Sequence, residues 1–494
     1  MTTASQRVTL GQDLGGVWTA VGCLLVGAAM QSVVVIPPGW LTIGLAALAT
    51  AAFARDRSLG WIPAGMLVAL ALPFARGGDV APLLVFGFPL RPQDAAVILA
   101  FAGGAWGMWR HGVSIGRLSR PAQVGLMAFV AFGVMGAIAL GIGLLAGHAA
   151  VDVLRDARWW SLYLIGPVAI LSGVPRAAVL RAVLVGITLF SVLILVAALL
   201  PRFEGALKDH VYIYDGGLLR MQFGNSVMLI PAIAYALWRV LQRPAWWRVA
   251  WLALLFGAQL LSLTRMSIFV TGLVVVGVLA LYYRHVRPNL RRRALRRIGA
   301  AVLVLALSLV GAVGLSEFGT RQGATAQRDP ENPLERITFR GEESDFGATV
   351  DSIASGGRFA TYWHAFDVIS TSPVVGGGFG QLVDVAFAYN EARARNVGQQ
   401  PGVDNAYLTV GIKSGVVGMT LFGALLLVPL WASMRPALRR LRPWYLPTWL
   451  GIGVLTMTQG FAVSSYGPLA LALLAAVPFL GYTRSTRSAA TDQR

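Results

Sequence analysis

Residues 266–316 read MSIFVTGLVVVGVLALYY, then RHVRPNLRRRALRR, then IGAAVLVLALSLVGAVGLS. Two uncharged apolar runs thus flank a segment with seven arginines between Arg284 and Arg297. A bilayer span needs about 20 mainly apolar residues, and short positive loops are retained in the cytoplasm. The stretch therefore reads as helix, inner loop, helix. Placed between two spans, the basic tract is a topology anchor against anionic lipid rather than a nucleic-acid footprint.

The same pattern extends outward over the chain. Of the 494 residues, 56% are hydrophobic and 13% charged, about half the charge of an average soluble domain. That composition excludes a disordered chain and argues against a set of soluble domains. A single cysteine, Cys23, excludes a disulfide framework and a Cys-based metal site. Apolar runs with at most one charged residue each fall at roughly 16–36, 39–54, 60–75, 94–109, 122–147, 159–174, 177–200, 223–238, 246–263, 266–283, 298–316, 405–431, 444–463 and 466–483. The first is followed by Pro37-Pro38 and another span, which makes it a retained helix rather than a signal peptide. The expected fold is an all-α integral membrane protein with about 14 transmembrane helices, or 12 if the shortest runs do not cross.

The charge distribution orients it. With the N-terminus inside and the spans alternating, 25 of the 41 Lys and Arg fall on the inner side, accompanied only by Asp13, Asp56 and Asp492. The inner side nets +22 and the outer side −3, together the +19 of the chain. Such regularity supports N-in, C-in topology.

Three regions follow: residues 1–316 with about 11 spans, a large outer loop at 317–402, and residues 403–494 with about three spans. Loops this long are usually functional or disordered. The part from Arg321 to Val350 is polar and rich in Gly, Pro and Glu, and is expected to be mobile. Beyond it, Phe359, Tyr362, Trp363, Phe366 and Ile369 recur at helical spacing, an apolar stripe suited to the membrane surface. Ser372-Pro373 ends that helix and Gly376-Gly377-Gly378-Phe379-Gly380 forms a tight turn. A second outer loop, 201–222, carries Arg202, Lys208, His210, Tyr212, Tyr214, Asp215 and Arg220. The spans hold essentially no deep polar groups and no internal repeat is visible, which weighs against a transporter of inverted repeats.

Candidate chemistry lies where charge breaks the trend. Arg265, in Ser262-Leu263-Thr264-Arg265-Met266-Ser267, is flanked by apolar helix at the outer boundary. It is either functional or a snorkelling interfacial arginine. Arg220 precedes Gln222-Phe223-Gly224-Asn225-Ser226, and Arg358 opens the loop helix; each has a plain boundary reading as well. Three arginines on one outer face suit anion capture, because the guanidinium fork fits phosphate. The outer-side histidines are His148, His210 and His364; His364 on the loop helix and Asp404, in Asp404-Asn405 before the next span, are the candidate bases, although that pair equally suits a helix N-cap. No HExxH, P-loop, dinucleotide fingerprint or Cys/His metal spacing occurs, so no cofactor and no metal are expected.

From Gly357 to Gly418 four submotifs follow in order: Arg358-Phe359…Trp363-His364-Ala365, Ser372-Pro373-Val374-Val375-Gly376-Gly377-Gly378-Phe379-Gly380, Asp404-Asn405-Ala406-Tyr407-Leu408 and Ser414-Gly415-Val416-Val417-Gly418. This stretch resembles the O-antigen ligase/polymerase superfamily, as does Thr264-Arg265 its intramembrane Ser-Arg element and Arg220…Gly224-Asn225 its approach to an earlier span. The resemblance implies a polytopic bacterial inner-membrane enzyme with a GT-C-like helical bundle and its large loop in the periplasm. It would move glycans from a polyprenyl (undecaprenyl) diphosphate carrier to a glycan or lipid-glycan acceptor. Membrane lipids, and chain-length or export proteins, are the other partners implied; nucleic acid is not.

By the same resemblance Arg220, Arg265 and Arg358 would bind the lipid pyrophosphate. Asn405, Gly376, Gly378 and Trp363 would support the site. The family usually carries His-Asn where this chain has Asp404-Asn405. That departure puts the base in doubt between Asp404 and His364, and leans the reading from ligase towards polymerase. A membrane transporter, either a lipid-glycan flippase or a small-anion carrier, is the rival.

Overall fold

The computed structural model describes residues 83–85, 88–90, 92–111, 114–199, 211–214, 219–221, 227–261, 265–286, 288–321, 327–329, 358–385, 398–400, 402–403, 405–439, 441–458, 463 and 467–480. The apolar runs at 16–36, 39–54 and 60–75, and most of 321–350, lie outside them. The protein is mainly helical. Its strands, among the described residues, are three or four residues long: hairpin β1 (Leu83–Val85) and β2 (Phe88–Leu90), a sheet ordered β4 (Leu219–Met221), β3 (Val211–Tyr214), β5 (Gln327–Asp329), and the pair β6 (Val383–Val385) and β7 (Gly398–Gln400).

The chain forms two compact units. The first comprises residues 1–123, 165–193 and 479–494. Its described part holds β1, β2, α1 (Pro92–His111), which packs on α4 (Ile165–Leu171), and most of α5 (Arg176–Leu199). Arg176 donates to the Leu480 carbonyl at 3.1 Å, tying the start of α5 to the last described residue.

The second unit, 124–164 and 194–478, carries the rest. These are α2 (Arg120–Leu145), α3 (Ala150–Ser161), α6 (Leu229–Gln242), α7 (Trp246–Leu261), α8 (Arg265–His285), α9 (Arg291–Arg321), α10 (Arg358–Thr371), α11 (Ala406–Ser433), α12 (Arg442–Thr458) and α13 (Gly467–Ala476). α6 is packed by α7, α8 and α12, which explains why ten of its residues are buried. Small residues let neighbours approach: a Cβ on Gly451 would meet Val274 at 2.6 Å, and one on Gly277 would meet Pro447 at 2.9 Å. Tyr445 of α12 donates to the Leu474 carbonyl of α13, and Trp449 to that of Leu426 in α11.

Among the described residues, four helical segments are long and apolar enough to cross a membrane: Arg120–Leu145, Met266–His285, Pro288–Ala312 and Ala406–Ser433. Their outer faces are apolar as well. On α2, Met127, Val130, Val134 and Ile138 are exposed opposite the buried Phe129, Phe132, Met135 and Ala139. A helix apolar all round is suited to lipid, not water. Hydroxyls within these helices turn back on the preceding turn, as in Thr271 to Ser267, Ser308 to Val304 and Ser414 to Val410.

Three expectations change. The run at 159–174 is not one helix: α3 ends at Ser161, a 3-10 turn spans Leu162–Leu164, and α4 is seven residues long. Pro167, with no N–H to donate, is held in the first turn of α4. The apolar stripe of the loop helix is also split. In α10, Ala365 and Ile369 are buried with Val383, Val403, Leu408 and Ile412, whereas Trp363 and Phe366 are exposed and paired at 6.3 Å. Third, the run at 405–431 is not free of deep charge, because Lys413 is fully buried in α11.

Candidate active site

The second unit is organised by a break in α11. Asn405 caps its start, its side-chain oxygen accepting from the Leu408 N–H at 3.1 Å. Two and a half turns on, Gly415 adopts φ 61°, ψ −163° and interrupts the ladder. Only glycine enters this left-handed conformation readily. In an unbroken helix Val416 and Val417 would donate to Ile412 and Lys413. Instead they donate to Pro373 and Val374, at 2.8 and 3.3 Å. The released carbonyls of Ile412 and Lys413 accept from Gly377 and Gly378, at 2.9 and 3.1 Å. The segment 373–378 is thereby spliced into the helix, and the two amides and two carbonyls released at the break are matched by it.

The glycines make that approach possible. Gly376, Gly378 and Gly380 have φ of 73°, 84° and 84°. A Cβ on Gly376 would lie 2.4 Å from the Ser414 nitrogen, and one on Gly378 2.4 Å from the Gly143 nitrogen. The next residues extend the docking to α2 and α3. Phe379 donates to the Ala139 carbonyl at 2.9 Å, and its own carbonyl lies 2.8 Å from Nδ1 of His148.

Beneath the turn is a buried ion pair. The Lys413 ammonium lies 2.7 Å from Oδ2 of Asp156, with the side chains 0% and 2% exposed. The same Oδ2 accepts from the Gly380 N–H at 2.8 Å, and Lys413 also donates to the Gln381 carbonyl. Aromatic rings close the other side. Trp160 stacks on Phe132 at 4.2 Å, meets Phe379 at 5.3 Å, and donates its indole N–H to the Phe132 carbonyl at 2.9 Å. Gly136 leaves room for that indole.

The sequence-predicted residues fall around this frame. Gly376 and Gly378 are within the splice, and Asn405 is the α11 cap. Trp363 and His364 are exposed on α10, which packs against α11 and β6. Arg358 is the first residue of α10 and Arg265 the first of α8. Arg220 lies in β4, opposite Tyr212 of β3; β4 contacts α7, the helix that precedes Arg265, and α9. Asp404 lies outside the described residues. The structure thus gathers α10, the glycine turn and the α11 cap on one frame, and sets the Arg220 strand beside α7.

Asp156, Lys413 and Gly143 were not among the predicted residues, and His148 was only one of three outer-side histidines weighed as a base. Asp156 had a signal, since it shares the buried face of α3 with Val153, Trp159 and Trp160. A carboxylate on such a face calls for a buried partner. Gly143 had none, and the contact of His148 with the Phe379 carbonyl exists only once the turn docks. No group of three or more His, Cys, Asp or Glu able to hold a metal occurs among the described residues.

Comparison with known proteins agrees with this geometry. Residues 250–423 match the family model described as O-Antigen ligase. No curated protein matches the chain. The matched span runs from within α7 into α11 and takes in Arg265, α10, the glycine turn, Asn405, Lys413 and the break at Gly415. Over these residues the chain is similar to the O-antigen ligase family.

Proposed function

We propose that the protein transfers a glycan from a polyprenyl diphosphate carrier to a sugar hydroxyl at the periplasmic face of the bacterial inner membrane, as a polysaccharide or O-antigen polymerase, or as an O-antigen ligase. The observation that carries the reading is the splice of segment 373–378 into α11 inside the matched family span. It holds the cap at Asn405 and the packed helix α10 in one rigid group, the kind of support a reacting site needs.

In this reading the acceptor hydroxyl oxygen attacks the anomeric carbon while the bond from that carbon to the diphosphate breaks. Asp404, or failing it His364, takes the hydroxyl proton. Arg220, Arg265 and Arg358 hold the pyrophosphate and neutralise the charge that grows on it. Arg265 and Arg358 each open a helix, where free N–H groups favour an anion and a positive side chain is otherwise disfavoured. The arginines supply this neutralisation without a metal. Asn405, Gly376, Gly378 and Trp363 support the site, and N-in, C-in topology puts the large loop in the periplasm.

The rival is a lipid-glycan flippase or anion carrier. The Lys413–Asp156 pair is the buried charge such a device would need, but Lys413 lies only about 10 Å along α11 and both partners are engaged with the glycine turn. The lipid-linked glycans of a strain lacking the protein test the proposal. Build-up of carrier-linked glycan on the outer leaflet is expected, as single repeats with loss of polymer for a polymerase, or as polymer left on the carrier for a ligase. Normal polymer with no carrier-linked build-up overturns it, and intermediates trapped on the inner side would favour the flippase.

A further inference from the structure

A groove on α8 and α9 lies apart from this chemistry. Val276, Leu279, Ala280 and Tyr283 of α8, with Leu295 and Ile298 of α9, line an open apolar groove of about 310 Å³. It runs along two turns of α8 and ends at the basic tract. Arg291 stands at that end. It lies one turn before Leu295 on the same face of α9, and its guanidinium is 5.6 Å from the Tyr283 ring centroid.

Among the described residues, the helices around this positive charge supply no counter-ion. No Asp or Glu occurs between Asp215 and Glu317, so α6, α7, α8 and most of α9 have none, and α12 has none either. Arg284, Arg291 and Arg292 are exposed. Arg297 is committed elsewhere, to the Leu241 and Gln242 carbonyls at the end of α6. Arg291, Arg292 and Arg293 also occupy the first turn of α9, the positive end of the helix dipole, where cations are disfavoured unless an anion joins them.

We propose that this groove binds one anionic glycerophospholipid, with an acyl chain along the apolar walls and the phosphate diester held by Arg291 and the adjoining arginines. The two chemistries occur together on few molecules. A soluble anion would leave the groove uncovered, and a zwitterionic lipid would leave the charge unmatched.

The test uses the full chain purified in detergent, with native mass spectrometry in equimolar phosphatidylglycerol and phosphatidylcholine of the same acyl chains. Preferential retention of one phosphatidylglycerol is expected. Arg291→Gln should lower it about fivefold, the effect of one interfacial arginine. Ala280→Trp and Leu295→Trp, both at exposed positions, should remove the preference with every arginine in place. Arg155→Gln, an exposed basic residue on α3, should leave it unchanged. Equal retention of the two lipids overturns the proposal. So does a preference that survives both tryptophan variants, which would mark general surface attraction rather than a seated chain.

Discussion

Lys413 and Asp156 meet at 2.7 Å inside the protein, with neither side chain reaching solvent. They come from helices far apart in sequence, and the amide of Gly380 shares the same carboxylate oxygen. Three chain segments therefore converge on one charge pair.

Removing one partner leaves a buried charge uncompensated, which costs about 3–5 kcal/mol. Lys413→Ala and Asp156→Ala should each cause a large drop in the melting temperature of the purified protein. Replacing both with apolar residues of similar volume, Asp156→Leu with Lys413→Met, should recover most of it. A double variant as unstable as the singles would show that the pair itself, not the stranded charge, matters.

Gly415 and Gly378 have positive φ, and a Cβ on either would lie 2.4 Å from backbone. Alanine at each should destabilise by at least about 1–3 kcal/mol. Gly423, later in α11 with open space around it, is the control. There alanine should be neutral or stabilise by roughly 0.5–1 kcal/mol, measured by the same melts.

Asn405→Ala removes the α11 cap, a loss of about 1 kcal/mol, whereas Asn405→Asp keeps an acceptor oxygen for the Leu408 amide. Thermal melts should rank wild type and Asp close together and Ala below them. Polymer assays on the same two variants report separately on any contact of Asn405 with substrate.

Arg265→Ala should abolish polymer while the protein still reaches the membrane in normal amount. Arg265→Lys should restore little, because an ammonium lacks the bidentate fork. Immunoblots of membrane fractions beside glycan gels decide it; normal polymer length and yield in Arg265→Ala would sink the pyrophosphate role.

Asp404→Asn should abolish polymer and His364→Ala should retain it. His364 is exposed on α10, so its loss should leave the fold intact and any effect interpretable. The reverse result would move the base to His364.

Much of the architecture was legible because lipid imposes a simple rule. Apolar runs long enough to span, separated by arginines, have few folded solutions, and 246–263, 266–283 and 177–200 became α7, α8 and α5 nearly residue for residue. The loop helix from Arg358 and its stop at Ser372-Pro373 were also readable, since proline ends a helix for local reasons. The glycine run could be recognised as a turn, and its family resemblance marked it as part of a site.

What the turn does depended on partners distant in sequence. Gly415 reads locally as a glycine in an apolar helix; only the docking of Pro373–Gly378 explains a broken ladder there. Lys413 reads as a lone charge within an apolar run; only the fold supplies Asp156, more than 250 residues earlier. Local hydrophobicity and charge by themselves determined which segments form helices and which loops carry the basic residues, because those depend on solvent alone. Which face of α10 is buried, where α11 breaks and which carboxylate meets Lys413 were decided by tertiary packing, because each requires groups that the chain brings together only when folded.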